Sequence, residues 1–294
     1  MADTTNATIL WRHLFVPLNH FSVAKIRRIS GTTKLFGDYF ATNVLLFLMC
    51  PCFQNGLTLS FTQMIQLDTI HNCDCLEGMR ALPDGCVDLC VMDPPYQFKA
   101  TTGGGAFGSL KDGGKGRAYH AELFPMSQGF AIDVLDEVCR LCRIPNMYVF
   151  CNKDLLPQLL DYAVKRRLNF DLLTWHKTNP TPTCSNKYLS DTEYIVFMRG
   201  KGARVYGTYE TKRKYWLQPT NTDDKKRWGH PTIKPLNIIR QLIVNSSQRG
   251  GVVLDPFMGS GTTAVAAMQE GRHYVGFEID KAYYDIAQKR PVCP

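Results

Sequence analysis

Gly251-Val252-Val253-Leu254-Asp255-Pro256-Phe257-Met258-Gly259-Ser260-Gly261-Thr262-Thr263 reads as a strand, a glycine turn and the start of a helix. Residues 251–254 are apolar and short, the pattern of a buried strand, and Asp255 stands where that strand ends. Gly259 and Gly261 let backbone approach a ligand closely. A helix running to about Gln269 offers free N–H groups at its first turn. Residues 273–277 form the next strand, and Glu278 follows it. Strand, glycine turn, helix, strand and terminal acid is the spacing of a Rossmann-like nucleotide unit, in which the acid accepts hydrogen bonds from ribose hydroxyls. The run from Gly259 to Ala264 also fits the dinucleotide fingerprint, a weak signal by itself. A plain tight turn explains the glycines but not Glu278 at this distance.

Working outward, a second acid closes a second apolar run. Residues 87–92 read as a buried strand, and Asp93-Pro94-Pro95-Tyr96 follows. Two prolines make a stiff turn that offers carbonyl oxygens and few donors. Asp93 adds an anionic acceptor, and Tyr96 a flat face with a polar tip. Ordinary turn chemistry also produces Asp-Pro-Pro. Read as a site, two acceptors and a stacking face suit a planar base bearing an exocyclic amine.

The remaining elements are placed coarsely. Residues 67–71 read as a strand, 76–82 as a helical turn, 127–140 and 154–167 as helices, and 147–151, 170–175 and 193–198 as strands. Residues 235–247 read as a helix with Pro235 in its first turn. Residues 97–124 form a glycine-rich loop beside the candidate site, and residues 200–229 are polar, basic and aromatic without clear periodicity. The first 63 residues do not share this patterning. Their continuous apolar core, residues 44–49, is too short to span a bilayer, so no membrane partner is expected. They read as an N-terminal extension, with the domain proper at residues 64–294.

With 294 residues there is room for one large α/β domain or two small ones. The formal charge of +8 is compatible with a polyanionic partner. The 11 cysteines show no zinc-finger spacing: Cys139-x-x-Cys142 stands alone and Cys73-x-Cys75 is tight. They read as reduced thiols of a cytoplasmic protein, packed as small apolar residues, with no metal site.

Together, Asp93-Pro94-Pro95-Tyr96 and the run from Asp255 to Thr263 resemble the beta-class DNA amino-methyltransferases that use S-adenosylmethionine. The order matches that permuted class, catalytic motif first and cofactor motif last. His230-Pro231-Thr232-Ile233-Lys234-Pro235 resembles the family's segment near the methionine part of the cofactor. Asn72-Cys73-Asp74-Cys75-Leu76-Glu77-Gly78-Met79 resembles its segment near the cofactor adenine, with Cys73 where the family usually has glycine. The resemblance runs from about Leu67 to Arg290. It implies an α/β fold with a Rossmann-like doubly wound mixed sheet, a circularly permuted class I methyltransferase, with a small target-recognition insertion at about residues 200–229. It also implies S-adenosylmethionine as cofactor and double-stranded DNA as partner, and leaves room for a homodimer and a companion restriction endonuclease.

Residue roles follow from the same resemblance. Asp93 and the carbonyl of Pro94, set by Pro95, accept the hydrogens of the target amine, and positioning and electrostatics supply most of the catalysis. The base must leave the duplex stack, and Tyr96 stacks on it. Glu278 holds the ribose hydroxyls, while Phe257 and Asp74 lie near the cofactor adenine. Asp255, Gly259 and Gly261, with Thr262, line the methionine end and the turn. Thr232 and Lys234 meet the cofactor carboxylate. Lys212, Arg213, Lys214, Trp216, Lys225, Lys226 and Arg227 are expected at the DNA, basic residues on phosphate and the aromatic ring near a base. Aspartate at position 93 favours adenine as the target, since serine there more often marks cytosine in this family. An amino-cytosine enzyme, an RNA methyltransferase of the same fold and a non-enzymatic DNA-binding relative remain the alternatives.

Overall fold

A computed structural model describes residues 66–95, 131–180, 186, 188–229 and 233–290, all within one compact unit spanning 54–294. The expected extension of residues 1–63, the domain start at Met64 and the glycine-rich loop at 97–124 lie outside the described residues, as do Tyr96 and Thr232.

Along the chain come β1 (Thr69–His71), α1 (Cys75–Arg80), β2 (Leu89–Met92), α2 (Asp133–Leu141), β3 (Asn146–Cys151) and α3 (Leu156–Lys165). Then follow β4 (Asn169–Lys177), β5 (Thr192–Arg199), β6 (Tyr215–Gln218) and α4 (Thr222–Trp228). The chain closes with α5 (Leu236–Ser246), β7 (Val252–Asp255), α6 (Thr262–Gln269), β8 (His273–Phe277) and α7 (Lys281–Lys289). The strands form a single sheet in the order β1-β8-β7-β2-β3-β5-β4-β6. β5 runs antiparallel to both its neighbours, and every other pairing is parallel. This is the mixed sheet expected from the sequence.

Each central strand is apolar on both sides because both faces are covered. Cys90 and Met92 of β2 join Met147 and Val149 of β3 under α1, α2 and α3, through Met79, Leu135, Val138 and Leu159. Leu89 and Val91 point the other way, with Phe150 and Val253, towards α5, α6 and Ala287 of α7. Helix α6 shows why its run is so rich in alanine. Ala264, Ala266 and Ala267 are fully buried, and small side chains let the helix sit close to α5 and β8.

The chain leaves β7 towards β8 and leaves β2 towards β3, in opposite directions from a shared seam. Ligands bind outside the carboxyl ends of strands at such a reversal. The seam is in register as Leu89↔Val253 and Cys90↔Leu254, so Asp93 and Asp255 emerge at the same end of the sheet. The far end is fastened by Asp88, whose Oδ2 accepts from the Val252 amide at 2.7 Å and whose Oδ1 pairs with Arg143. Asn146 donates to the carbonyls of Asp88 at 2.9 Å and Ser246 at 2.8 Å, tying β2 to α5.

Two regular elements appear where the sequence showed no periodicity. β6 pairs in parallel with β4, Trp175 opposite Trp216, and its alternation is only four residues long among basic neighbours. α4 is capped by Asn221, which accepts from the Asp224 amide at 3.3 Å, and ends at Gly229 with φ 69°. Asp280 caps helix α7 through the amides of Ala282 and Tyr283 at 2.8 and 3.1 Å.

Trp216 needs correcting as a DNA contact. It is only 9% exposed, packs with Leu173 and Trp175 in the core on the α5 side, and donates from Nε1 to Gln241 at 3.0 Å. Its neighbours Tyr215 and Leu217 face out instead. Trp216→Ala should therefore cost about 3–5 kcal/mol of stability, read as a lower urea midpoint. An unchanged midpoint with selective loss of cognate DNA binding would restore the base-contact role.

Candidate active site at the strand reversal

Asp93 leaves β2 into the Pro94-Pro95 turn, with the Pro94 ring buried. Its carboxylate is not solitary. Lys234, in the segment before α5, places Nζ 2.6 Å from Asp93 Oδ2 and 3.3 Å from Glu193 Oε2. The second contact is an ion pair by distance and leaves that oxygen without an aligned hydrogen bond. Glu193 Oε1 in turn takes Lys177 Nζ at 2.6 Å. The ammonium of Lys234 also lies 5.4 Å from the centre of the Phe150 ring. Four charges of alternating sign thus run from the end of β2 across to β5 and β4.

The electrostatics follow from burial and pairing. Burial pulls the Lys234 ammonium down, but Asp93 and then Glu193 outweigh it and hold it at about 12. Burial pushes Glu193 up, and Lys234 with Lys177 reverses this, leaving it below the ordinary carboxylate value. Lys225 of α4 is pulled down by burial and then by the charges of Lys177 and Lys234. Helix α4 therefore stands at the rim of the same charged cluster.

On the other side of the seam, Asp255 is 4% exposed. It accepts from the Thr263 hydroxyl at 2.5 Å and the Phe257 amide at 3.0 Å, which bends the chain into the glycine turn. Burial pushes its carboxyl up to about 7, against those two hydrogen bonds and with added repulsion from Asp93 and Glu278. Gly259 and Gly261 take φ of 53° and 83°. At Gly261 a Cβ would also stand 3.1 Å from the backbone of Ala287, so glycine is required for both reasons.

Glu278 follows β8 as the sequence placed it. Its Oε2 accepts from the Gly259 amide at 2.7 Å and its Oε1 from the Asp280 amide at 2.8 Å. Burial raises its proton affinity against those two bonds. Each oxygen keeps a lone pair for a further donor. A cleft opens beside it, lined by Cys73, Asp74, Cys75, Phe257, Phe277 and Glu278, among others. Asp74 Oδ1 caps α1 through the amides of Leu76 and Glu77 at 2.9 and 3.1 Å.

The structure thus brings Asp74, Phe257 and Glu278 to one cleft and Asp93 with Lys234 to the adjoining strand end. Lys234 faces two carboxylates in the interior rather than solvent. Thr262 has its hydroxyl engaged as acceptor for Arg290 at 2.9 Å. Among the expected DNA residues, Lys212, Lys226 and Arg227 are exposed, while Lys214 pairs with Asp171 and Arg213 with Glu210.

Four residues were not singled out in the sequence. Thr263 fixes Asp255, and Glu193 with Lys177 extends the cluster at Asp93. Arg290, 5% exposed, donates to the Ser260 carbonyl and hydroxyl at 3.1 and 2.8 Å and meets Asp224 of α4 at 3.4 Å. It ties the glycine turn to the basic helix. A glutamate opening an otherwise apolar strand was the available signal for Glu193.

Residues 87–289 match the DNA methylase family (N6_N4_Mtase). The chain belongs to that family. The chain is 37% identical over 132 residues to type II methyltransferase M2.DpnII of Streptococcus pneumoniae, a match covering 40% of this chain and about half, 49%, of that relative. It is 29% identical to M2.LlaDCHI of Lactococcus lactis subsp. cremoris, over 74% of this chain and 86% of the relative. Among solved structures, the M1.HpyAVI–SAM complex superposes with TM-score 0.56 at 24% identity, covering 76% of this chain and 98% of that chain. The PvuII cytosine-N4-specific DNA methyltransferase gives 0.55 at 16% identity, covering 75% and 84%. These last two show a shared fold.

The raised Asp255 makes a stability prediction. Its folded-state proton affinity exceeds the unfolded one, so this carboxyl costs stability progressively as pH rises from 3.8 through about 7. Asp255→Asn, whose oxygen can accept from the Phe257 amide while its Nδ2 donates to the Thr263 hydroxyl oxygen, should raise the melting temperature of the ligand-free protein at pH 8 by roughly 2–4 °C per kcal/mol recovered, and leave it nearly unchanged at pH 4. Equal shifts at both pH values would contradict a neutral Asp255 at low pH.

Proposed function

We propose that this protein transfers a methyl group from S-adenosylmethionine to the exocyclic amine of adenine in double-stranded DNA, acting in the cytoplasm. The observation that carries the reading is Asp93. Its carboxylate ends β2, is held by a buried ammonium, and adjoins across the β2–β7 seam a cleft edged by Glu278.

The residues present fit the cofactor. The spare lone pairs of Glu278 suit two ribose hydroxyls, the rings of Phe257 and Phe277 suit a purine, and Asp74 offers Oδ2 to an amine. Asp255 and the Gly259–Gly261 turn would hold the methionine end. S-adenosylmethionine supplies there an electrophilic methyl group carried on a sulfonium.

The chain's own work is orientation. The amine of adenine is a weak nucleophile because its lone pair is delocalised into the ring. Asp93 and the Pro94 carbonyl accept its two hydrogens and turn the lone pair out of that conjugation. An ammonium 2.6 Å away favours an ionised partner, and ionised is the accepting state. Positioning of this kind is worth several kcal/mol of barrier. The base must be flipped to reach Asp93, and the exposed Lys226 and Arg227 of α4, at the rim of the cluster, suit the phosphates beside it.

The experiment is methyl transfer from labelled cofactor to DNA, followed by separation of the nucleosides. N6-methyladenine is expected, and N4-methylcytosine in its place would overturn the choice of base. Asp93→Ala should abolish transfer and keep cofactor affinity within about twofold, whereas Glu278→Ala should weaken that affinity by roughly 10²- to 10⁴-fold, at about 1.5–3 kcal/mol for each of two hydrogen bonds lost to a charged acceptor. Near-normal turnover in Asp93→Ala would remove it from the mechanism.

A further inference from the structure

The chain of charges behind Asp93 is longer than the pair needs. Asp93 and Lys234 already neutralise one another at 2.6 Å. Taking Glu193 and Lys177 largely out of water as well, with side chains 17% and 18% exposed, adds desolvation that ion pairing often fails to recover, and apolar residues of similar size commonly do as well or better. Glu193 sits at the start of a strand whose next residues are apolar, so packing alone does not call for a carboxylate there. Stability therefore does not account for it, and its geometry points elsewhere. Glu193 Oε2 faces the same ammonium that holds Asp93, and Glu193 Oε1 is itself fixed by Lys177.

We infer that Glu193, anchored by Lys177, is a positioning residue for methyl transfer: it shares Lys234 with Asp93 and so sets the aim and charge of the Asp93 carboxylate. This rests on the reading of Asp93 as the acceptor of the amine hydrogens. Lys234 is held from three sides, by Asp93 after β2, Glu193 on β5 and the Phe150 ring on β3. The ammonium lies 2.6 Å from Asp93 and 3.3 Å from Glu193, so Glu193 takes part of its charge and leaves Asp93 more acceptor capacity for the target amine. With Glu193 neutral, one of the two carboxylates beside the ammonium is gone, and Lys234 pairs more strongly with Asp93 and competes with the amine for the same oxygens. Lys177 keeps Glu193 charged and turned to the site, across the Trp175↔Glu193 register of β4 and β5.

Other ionisable groups also face the cluster. Asp255 on β7 and Cys151 on β3 both feel Asp93, and Cys151 and Lys225 of α4 feel Glu193. All remain in the variants below, so a change in pH profile that reverses sign between two variants belongs to the charge removed.

The test measures kcat, cofactor Kd and the pH profile of kcat for the full chain and three variants. Glu193→Gln should lower kcat roughly 10- to 100-fold, the scale of a small misplacement of a reacting group, while cofactor Kd changes less than about twofold. Its acidic limb should move to lower pH, because an anion near the carboxylate that must ionise has gone. Lys177→Met should move the same limb to higher pH. Limbs that stay in place in both variants overturn the inference, whatever happens to kcat, and if Glu193→Gln does not fold, the Lys177→Met limb decides alone. Asp93→Asn separates the two claims. An inactive Asp93→Asn with unmoved limbs sinks only the role of Glu193, whereas wild-type turnover in it brings down the reading of Asp93 and this inference together.

Discussion

The backbone pairing of β2 with β7 is what the site depends on. These strands are 160 residues apart in the chain, yet Leu89 lies opposite Val253 and Cys90 opposite Leu254. The pairing is parallel, so the acids that follow both strands leave the sheet at one end. It is also the seam where the chain turns outward in both directions, the kind of reversal at which ligands bind. Asp88 secures the opposite end by taking the Val252 amide. The polar fastening at Asp88 and the apolar residues on both faces fix the register, and a one-residue slip would turn the buried faces out.

On this frame the two halves of the site have opposite electrostatic characters. The Asp255–Glu278 side is acidic and built on hydrogen bonds from amides and one hydroxyl. Burial raises the proton affinity of both carboxyls, so a cation bound there would favour their ionised forms. The Asp93 side is neutralised by lysines, with Lys225 as a further positive charge nearby. One side therefore suits a positively charged donor, and the other a neutral acceptor followed by a polyanion. Arg290, bridging the glycine turn and α4, joins the two physically.

Much of this was legible in the sequence because it is local. A strand ending in an acid, a glycine turn and a helix are set within about ten residues, and the acids at 93, 255 and 278 stand where the motif spacing put them. The short strand β6 and helix α4 were not legible, since a four-residue alternation among lysines and tyrosines gives no period to read and its stability comes from pairing with β4. Trp216 misled for the same reason: basic neighbours made it look like a surface aromatic, and only the pairing shows which way it points. Lys234 was placed at the site, but its partner Glu193 lies on a strand 41 residues earlier, a distance that motif spacing does not reach.

The most direct test of the account is the structure of the protein crystallised with S-adenosylmethionine. The account places the adenosine in the cleft of Asp74, Phe257 and Glu278, with the ribose hydroxyls on the Glu278 carboxylate and the methyl group on the Asp93 side of the β2–β7 seam. Ligand density at the opposite end of the sheet, beside Asp88 and Arg143, or a ribose that does not touch Glu278, would contradict it.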